Sequence, residues 1–403
     1  MEPVHLVQAN ASAAASRPLS AWLPQLATAR PVGAYVHVPF CFHKCHYCDF
    51  YSFVDTKDRQ EAFVDRLLAE ARVMSGLVHE PMQTLFVGGG TPTLLADDRL
   101  LRLLRGLREL LPWAGGAEWT VEANPETITA AKADVLASCG VTRVSMGAQS
   151  FQPALLQQLE RHHEPASVAR AMGLLRSAGI ARLNIDLIFA IPTSTLVQWQ
   201  DDLAQALALA PDHLSCYGLV YEPGTPLRAR LEAGGVERLD EELEASMYEH
   251  TVTTLAAAGY HHYEISNWAR PGQECRHNLL YWEDGEWIAL GPSASGHAAG
   301  LRWKNVAVLQ EWLDEGPWAP VRSVEALDED GRIGEAFLMG LRLLDGMHEG
   351  RVQSLLGRGT RAVRRKAAID AAVARGDMVR SDGRLRFSER GVLTSDSVLR
   401  DLL

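Results

Sequence analysis

The sequence has no run of 18 or more uncharged apolar residues, so we expect no segment that crosses a membrane. The first 30 residues lack a basic segment followed by a continuous apolar stretch, which argues against a secretory signal. We expect residues 1–30 to form a flexible tail instead. An excess of basic charge is also absent, because the formal net charge is −11, and this disfavours nucleic acid as a partner.

Cysteine is scarce, with six residues in a chain of 403. Three of the six lie close together, and the others (Cys139, Cys216 and Cys275) are spread along the chain. In a long chain this pattern is typical of a metal or cluster site in a reducing compartment rather than of a disulfide framework. We therefore expect a cytoplasmic protein.

The clustered cysteines have the spacing Cys-x3-Cys-x2-Cys and follow a short extended run. They are Cys41, Cys45 and Cys48. A cubane iron–sulfur cluster has four irons, so three thiolates leave one iron free to bind a small molecule. The alternative is structural zinc with His37, His43 or His46 as the fourth ligand, although such zinc sites usually combine two cysteine knuckles and only one is present here.

Short apolar segments alternate with longer amphipathic ones from residue 33 to about residue 220. The predicted strands are Ala34–Val38, Thr84–Val87, Glu118–Glu122, Arg143–Met146, Arg182–Ile188 and His213–Gly218. A strand–helix unit repeated in this way implies parallel strands joined by right-handed crossovers. The predicted fold class is therefore α/β, with a partial (β/α)6 TIM-like barrel.

The pattern divides the chain after the tail into three parts. We place the barrel at residues 31–228. Residues 229–324 are expected to cover it and contain the motif His277-Asn278-Leu279-Leu280-Tyr281-Trp282. Residues 325–403 are expected to form a mostly helical, winged-helix-like domain with a hairpin around Ser381-Asp382-Gly383.

Glycine and polar residues follow the predicted strands, where parallel βα folds place their chemistry. The run Gly88–Gly90 offers N–H donors and close approach to a ligand, or forms only a tight turn. Glu122 is either a ligand contact or a surface carboxylate. Asp186 needs a partner or a ligand because an unpaired buried charge is costly, and Arg161 is a candidate for a structural ion pair with it. His277 is either a satisfied core residue or a ligand contact.

The cysteine motif, with the aromatic residue Tyr47 before its third cysteine, resembles the signature of the radical S-adenosylmethionine (SAM) superfamily. More narrowly, the run Tyr35-Val36-His37-Val38-Pro39-Phe40-Cys41 resembles the oxygen-independent coproporphyrinogen III oxidase group. The run Gly88-Gly89-Gly90-Thr91-Pro92-Thr93 resembles the same group. The likeness extends from about residue 33 to the C-terminus.

One position departs from the oxidase pattern. The oxidase signature continues to a fourth cysteine, and this chain has Phe50 there. The run Cys48-Asp49-Phe50 is similar to the heme chaperone branch, of the HemW type, which also carries the motif His-Asn-x-x-Tyr-Trp. This second similarity makes His277 a candidate heme contact.

The resemblance implies a set of site residues. Cys41, Cys45 and Cys48 would ligate a [4Fe–4S] cluster, and reduction of that cluster would cleave bound SAM to methionine and a 5′-deoxyadenosyl radical. The implied SAM contacts are Tyr35, Tyr47, Gly89, Gly90, Thr91, Glu122, Gln149, Arg161 and Asp186. In the oxidase, the positions of Gly90, Thr91, Gln149, Arg161 and Asp186 contact a second SAM molecule.

The implied function is that of a radical SAM-type heme chaperone, which binds heme and transfers it to acceptor proteins such as respiratory enzymes. A low-potential electron donor would be a further partner if SAM is cleaved, and peripheral membrane contact stays open. The alternative is an oxygen-independent coproporphyrinogen III oxidase of porphyrin biosynthesis, which decarboxylates two propionates through the radical. Phe50 disfavours this alternative.

Overall fold

The computed structural model describes residues 16–403, which form one large mixed sheet, one small sheet and flanking helices. The 13 strands of the large sheet are β1 (Arg17–Pro18), β2 (Gly33–Val38), β3 (Met82–Gly89), β4 (Trp113–Ala123), β5 (Arg143–Gln149), β6 (Arg182–Phe189), β7 (His213–Gly218), β8 (His261–Glu264), β9 (Asn267–Ala269), β10 (Trp287–Leu290), β11 (Ser295–Ala298), β12 (Leu301–Asn305) and β13 (Pro320–Ala326). The small sheet contains β14 (Met347–His348), β15 (Met378–Ser381) and β16 (Arg384–Phe387).

Sixteen α-helices accompany these strands in the described part of the chain. They are α1 (Leu23–Leu26), α2 (Gln60–Met74), α3 (Asp97–Leu110), α4 (Ala130–Ser138), α5 (Pro153–Gln158), α6 (Pro165–Ser177), α7 (Leu196–Ala208), α8 (Pro226–Glu232), α9 (Glu241–Ala257), α10 (Arg276–Trp282), α11 (Leu309–Asp314), α12 (Glu329–Gly340), α13 (Glu349–Leu356), α14 (Ala362–Arg375), α15 (Glu389–Leu393) and α16 (Ser395–Leu402). None of these helices has the length and apolar character needed to cross a membrane.

Strands β2 to β7 pair side by side in chain order, and every pair is parallel. Side chains alternate along each strand: in β2, Val36 is fully buried in the core, whereas Tyr35 and His37 share the other face. The intervening helices have local signals that fix their starts, such as the capping box of Thr195 and Gln198 at α7. The predicted α/β class and its six parallel βα units are confirmed.

The segment after β7 extends the sheet at both edges, which the sequence pattern did not predict. Strand β10 pairs in parallel with β2, and β11, β12 and β13 continue from it as an antiparallel ribbon. At the other edge β9 and β8 pair antiparallel with β7. These strands have three to seven residues, too few for a clear alternation of apolar and polar residues.

The expectation of a flexible tail over residues 1–30 is wrong for its second half. Strand β1 pairs with β13, with Arg17 opposite Val321. Leu19, Leu26 and Ala29 are fully buried, so burial of apolar side chains holds this segment on the core. Residues 1–15 lie outside the described part of the chain.

The C-terminal part is mostly helical and contains the predicted hairpin. Strands β15 and β16 pair antiparallel, with Ser381 opposite Arg384, and β14 adds a third strand. Two short helices, α15 and α16, follow the hairpin. The almost fully buried Arg365 of α14 links two other helices of this part. It donates hydrogen bonds to Asp330 of α12 at 2.9 Å and to the Leu402 carbonyl of α16 at 2.7 Å.

Candidate functional site

A cavity of about 730 Å³ lies at the carboxyl ends of the parallel strands, beneath the loop that carries the three cysteines. Its volume is in the range of small-molecule and cofactor sites, roughly 300–1,000 Å³. Eleven of the predicted site residues line it, namely Cys41, Cys45, Tyr47, Cys48, Gly89, Gly90, Thr91, Glu122, Gln149, Arg161 and Asp186. The other two, Tyr35 and His277, are not part of its lining.

Backbone hydrogen bonds close the base of the cysteine loop. The Cys41 N–H donates to the Phe53 carbonyl at 3.0 Å, and the Phe53 N–H donates to the Pro39 carbonyl at 3.0 Å. The Thr91 N–H donates to the Phe40 carbonyl at 2.7 Å, which joins the loop to the segment after β3. A side chain at Gly90 would lie 2.6 Å from that carbonyl, so only glycine permits this approach. The fold therefore brings the cysteine loop and the glycine run together.

The three thiols are free and lie in one wall of the cavity. Burial raises the pKa of Cys41 and brings that of Cys48 to about 11. The thiolate form therefore needs a compensating positive charge, which a metal cluster supplies. The Arg161 guanidinium adds another, with Nη1 3.9 Å from the Cys45 sulfur. This donor set fits an iron–sulfur cluster.

The spacing of the thiols favours a cluster over the alternative of a single zinc ion. Four ligands at Zn–S distances near 2.3 Å would place the sulfur atoms about 4 Å apart. The three thiols do not form a group whose ligand atoms all lie within 4.8 Å of one another. His37 is also engaged elsewhere: its Nδ1 lies 3.1 Å from the Tyr35 hydroxyl and its Nε2 lies 2.7 Å from the Tyr51 carbonyl. Burial lowers the pKa of His37 to about 4, so the ring is neutral.

The glycine run adopts a conformation that only glycine readily permits. Gly89 has a φ of +104°, and a Cβ there would lie 2.5 Å from the His37 ring. Its N–H donates to the Glu122 carboxylate at 3.0 Å. A side chain at Gly88 would lie 2.7 Å from the same carboxylate. The glycine run therefore lets β3 pack closely against side chains of β2 and β4, and it also forms part of the cavity wall.

Glu122 and Asp186 place two carboxylates in the cavity. Burial, with the nearby Asp186 charge, raises the pKa of Glu122 to about 7. Burial also raises the pKa of Asp186. Hydrogen bonds from Ser145 at 3.1 Å and Asn184 at 2.7 Å oppose this rise, because they stabilise the ionised carboxylate. Two neighbouring buried carboxylates favour a cationic ligand, such as an ammonium or sulfonium group.

Of the two alternatives for Arg161 and Asp186, a direct ion pair is not formed among the described residues, although the Arg161 charge opposes the rise in the pKa of Asp186. Arg161 Nη2 donates to the Gly147 carbonyl at 2.7 Å, and Nη1 points to Cys45. A side chain at Gly147 would lie 2.7 Å from Arg161 and 2.8 Å from the Gln149 amide, so glycine leaves room for both. Arg161 is therefore positioned by backbone and directed at the cysteine loop.

His277 faces the core, not the cavity. Its side chain is fully buried, with Nδ1 2.8 Å from the Thr84 hydroxyl and Nε2 2.8 Å from the Tyr281 hydroxyl. The ring stacks on Phe86 at 5.4 Å, and burial lowers its pKa to about 3. Both ring nitrogens of His277 therefore already have hydrogen-bond partners.

Other residues of the same helix do reach the cavity. Asn278, Tyr281 and Trp282 line it, and Arg342 lies over the Trp282 ring at 4.6 Å. All three belong to the His-Asn-x-x-Tyr-Trp motif, from which only His277 was predicted as a ligand contact. Helical spacing is the signal that relates the two residues, because Tyr281 follows His277 by one turn. The Tyr281 hydroxyl lies 2.8 Å from the buried histidine, and Tyr281 also lines the cavity.

The parallel βα fold and the three-cysteine site define a radical SAM protein, and a sequence profile described as the Radical SAM superfamily matches residues 35–206. The heme chaperone HemW of Mycobacterium tuberculosis (strain ATCC 25618 / H37Rv) is 36% identical over 393 residues, which cover 94% of this chain and 97% of that protein. The heme chaperone HemW of Escherichia coli (strain K12) is 33% identical, over 92% of this chain and 97% of that protein. The chain therefore belongs to the heme chaperone HemW family.

A solved structure of the Escherichia coli coproporphyrinogen III oxidase HemN, a radical SAM enzyme, has the same fold. The two superpose with a TM-score of 0.83 at 22% identity, over 95% of this chain and 93% of the oxidase. At this identity the likeness concerns the fold alone.

Proposed function

We propose that this protein holds a [4Fe–4S] cluster, SAM and heme, and that it transfers the heme to acceptor proteins. The observation that carries the proposal is that one cavity joins the three cysteines to Tyr281 and Trp282 of the His-Asn-x-x-Tyr-Trp helix. Membership of the HemW family supports the same function.

Cys41, Cys45 and Cys48 are the proposed cluster ligands. When bound, the cluster supplies electron-transfer capacity and an iron with an open position. The Arg161 guanidinium beside Cys45 offsets the negative charge of the thiolates.

The proposed SAM site lies between the cysteine loop and the strand ends. Glu122 and Asp186 accept hydrogen bonds from a cationic group of the ligand, and the glycine run lets the ligand approach the backbone at Gly90 and Thr91. Gln149 and Tyr47 contribute polar and aromatic surface. Tyr35 does not line the cavity and supports the site indirectly. Its hydroxyl lies 3.1 Å from His37 Nδ1, and the His37 ring packs against Gly89.

The proposed heme contact is the cavity face of α10. Trp282 and Tyr281 offer aromatic surface to a flat macrocycle. His277 holds this face in place through the Tyr281 hydroxyl. Direct contact of the His277 ring with heme would require it to leave its bonds to Thr84 and Tyr281.

The partners follow from this assignment. Respiratory enzymes are proposed acceptors of the heme, and a low-potential electron donor is needed where SAM is cleaved. The cytoplasm is the proposed location, because the thiols must stay reduced to hold the cluster.

Two assays of the anaerobically reconstituted protein test the proposal. Heme titration, followed by absorbance, should show saturable binding, and a heme-loaded sample should pass heme to an acceptor apoprotein. Incubation with coproporphyrinogen III, SAM and a reductant should yield no protoporphyrinogen, since Phe50, 59% exposed, stands where the oxidase pattern has a fourth cysteine. Robust decarboxylation without heme binding would contradict the proposal and favour the oxidase.

A further inference from the structure

A second cluster of potential metal-binding side chains includes His43, which lines the cavity, and is separate from the set assigned to the [4Fe–4S] cluster and SAM. It consists of His43, Glu160 and His162, whose ligand atoms all lie within 4.8 Å of one another. Two imidazoles and one carboxylate are a ligand set that suits zinc and other divalent transition metals, with positions left for water.

The three side chains converge on one point. His43 Nε2 lies 3.7 Å from one carboxylate oxygen of Glu160. The rings of His43 and His162 meet edge to face, with centroids 4.5 Å apart. His46 approaches from the same loop, with Nδ1 4.0 Å from the other carboxylate oxygen. Small side-chain rotations would bring these donors to metal–ligand distances near 2 Å.

Unsatisfied nitrogens provide a second, independent observation. His43 Nε2 and His46 Nδ1 are shielded from solvent, and neither has a hydrogen-bond partner among the described residues. Leaving a shielded polar atom without a hydrogen-bond partner is unfavourable. Both nitrogens are directed at Glu160, so a bound cation at that point would satisfy them.

We propose that His43, Glu160 and His162 bind a divalent transition metal ion such as Zn²⁺, with His46 or water completing the coordination. His43 lies between Cys41 and Cys45, and Glu160 and His162 flank the arginine that reaches Cys45. A bound ion therefore cross-links the cysteine loop to the turn after α5. The site uses nitrogen and oxygen donors and contains none of the residues assigned to heme.

The backbone at Glu160 offers a clean test variant. Its φ is +54°, in the left-handed region that favours glycine. Glu160→Gly therefore removes the carboxylate while it relieves the backbone, so loss of folding would not explain loss of metal. His162 is exposed, and His162→Ala removes a second ligand at little cost to the fold. His79→Ala, at another exposed histidine, is the matched control.

The experiment is equilibrium dialysis of tag-free, cluster-loaded protein against Zn²⁺ under anaerobic conditions, followed by elemental analysis. We expect one zinc ion per chain with unchanged iron content. Affinity should fall at least about tenfold in Glu160→Gly and in His162→Ala, because each removes one of three ligands, and stay unchanged in His79→Ala. The proposal is overturned if no zinc binds, if zinc binds equally to all variants, or if zinc uptake accompanies loss of iron, which would place the ion on the cysteines.

Discussion

The Glu122 carboxylate accepts a 3.0 Å hydrogen bond from the backbone N–H of Gly89, which links the carboxyl ends of two neighbouring parallel strands. This contact holds a carboxylate against the glycine run. Because the carboxylate is buried beside Asp186, its pKa rises to about 7. The protonation of Glu122 is therefore poised to change near neutral pH, with consequences for ligand binding and stability.

The affinity for SAM should rise with pH. A cationic group of the ligand interacts favourably with the ionised form of Glu122, and that form increases as the pH passes about 7. Between pH 6 and pH 8 the dissociation constant should fall about tenfold. Isothermal titration calorimetry in two buffers of different ionisation enthalpy would measure it, together with the proton released. Glu122→Gln should show a flat profile, and a flat profile in the unsubstituted protein would contradict the assignment.

The same pKa shift predicts a loss of stability with increasing pH in the ligand-free protein. The folded-state pKa of Glu122 is raised above its ordinary value of 4.5, so its contribution is present below pH 4.5 and is lost as the pH rises through about 7. Glu122→Gln should therefore gain free energy of unfolding relative to the parent protein between pH 5 and pH 8. Urea unfolding at both pH values measures this difference, and parallel behaviour of the two proteins would contradict it.

Gly89→Ala should destabilise the protein. The substitution places a Cβ 2.5 Å from the His37 ring at a φ of +104°. The free energy of unfolding should fall by about 1–3 kcal/mol. Gly76→Ala is the control, because a Cβ there meets no atom within 4 Å apart from its chain neighbours, and it should change stability by less than about 0.5 kcal/mol. Equal stability of the two variants in urea unfolding would show that the close contact is not as described.

Arg161→Gln should make the cluster harder to reduce. Reduction adds negative charge beside Cys45, and the Arg161 guanidinium stabilises that charge from 3.9 Å. Its removal should lower the midpoint potential by an amount on the order of tens of millivolts. A redox titration followed by electron paramagnetic resonance measures the potential. Arg170→Gln, on the exposed surface of α6, should leave it unchanged, and an unchanged potential in Arg161→Gln would remove the arginine from the cluster environment.

His277→Ala and Trp282→Ala should both weaken heme binding and leave the iron content of the cluster unchanged. His277→Ala should also lower the free energy of unfolding by about 2–4 kcal/mol, because it empties a fully buried site and breaks two hydrogen bonds. Trp282→Ala should lower it less, since that side chain borders the cavity.

Spectra of the bound heme separate an indirect role of His277 from a direct one. If His277 only positions α10, the heme that still binds to His277→Ala should have the same Soret band as in the parent protein. A shifted band would show that His277 ligates the iron. Unchanged heme affinity in both variants would remove α10 from the heme site.

The sequence was sufficient for the part of the fold that depends on local pattern. The six parallel strands were predicted because each, such as Arg182–Phe189, is a buried run followed by an amphipathic helix. The short strands after β7 were missed, because their pairing with β2 and β7 depends on contacts distant in sequence. The packing of Leu19 and Leu26 was missed for the same reason.

In the site, too, the local sequence pattern was informative and the contacts between distant residues were not. The three cysteines and the glycine run, which the sequence singles out, line one cavity, since strand ends in a parallel sheet meet at one edge. The direction of individual side chains was not predictable. Arg161 points at Cys45 rather than at Asp186, and His277 points into the core, because both depend on the space that neighbouring residues leave.

We propose that Cys41, Cys45 and Cys48 hold a [4Fe–4S] cluster with one iron open to SAM. The most direct measurement is the electron paramagnetic resonance spectrum of the anaerobically reconstituted, reduced protein with and without SAM. We expect a cluster signal that changes when SAM is added and that is lost in Cys45→Ala. A signal that is identical in both conditions would contradict it.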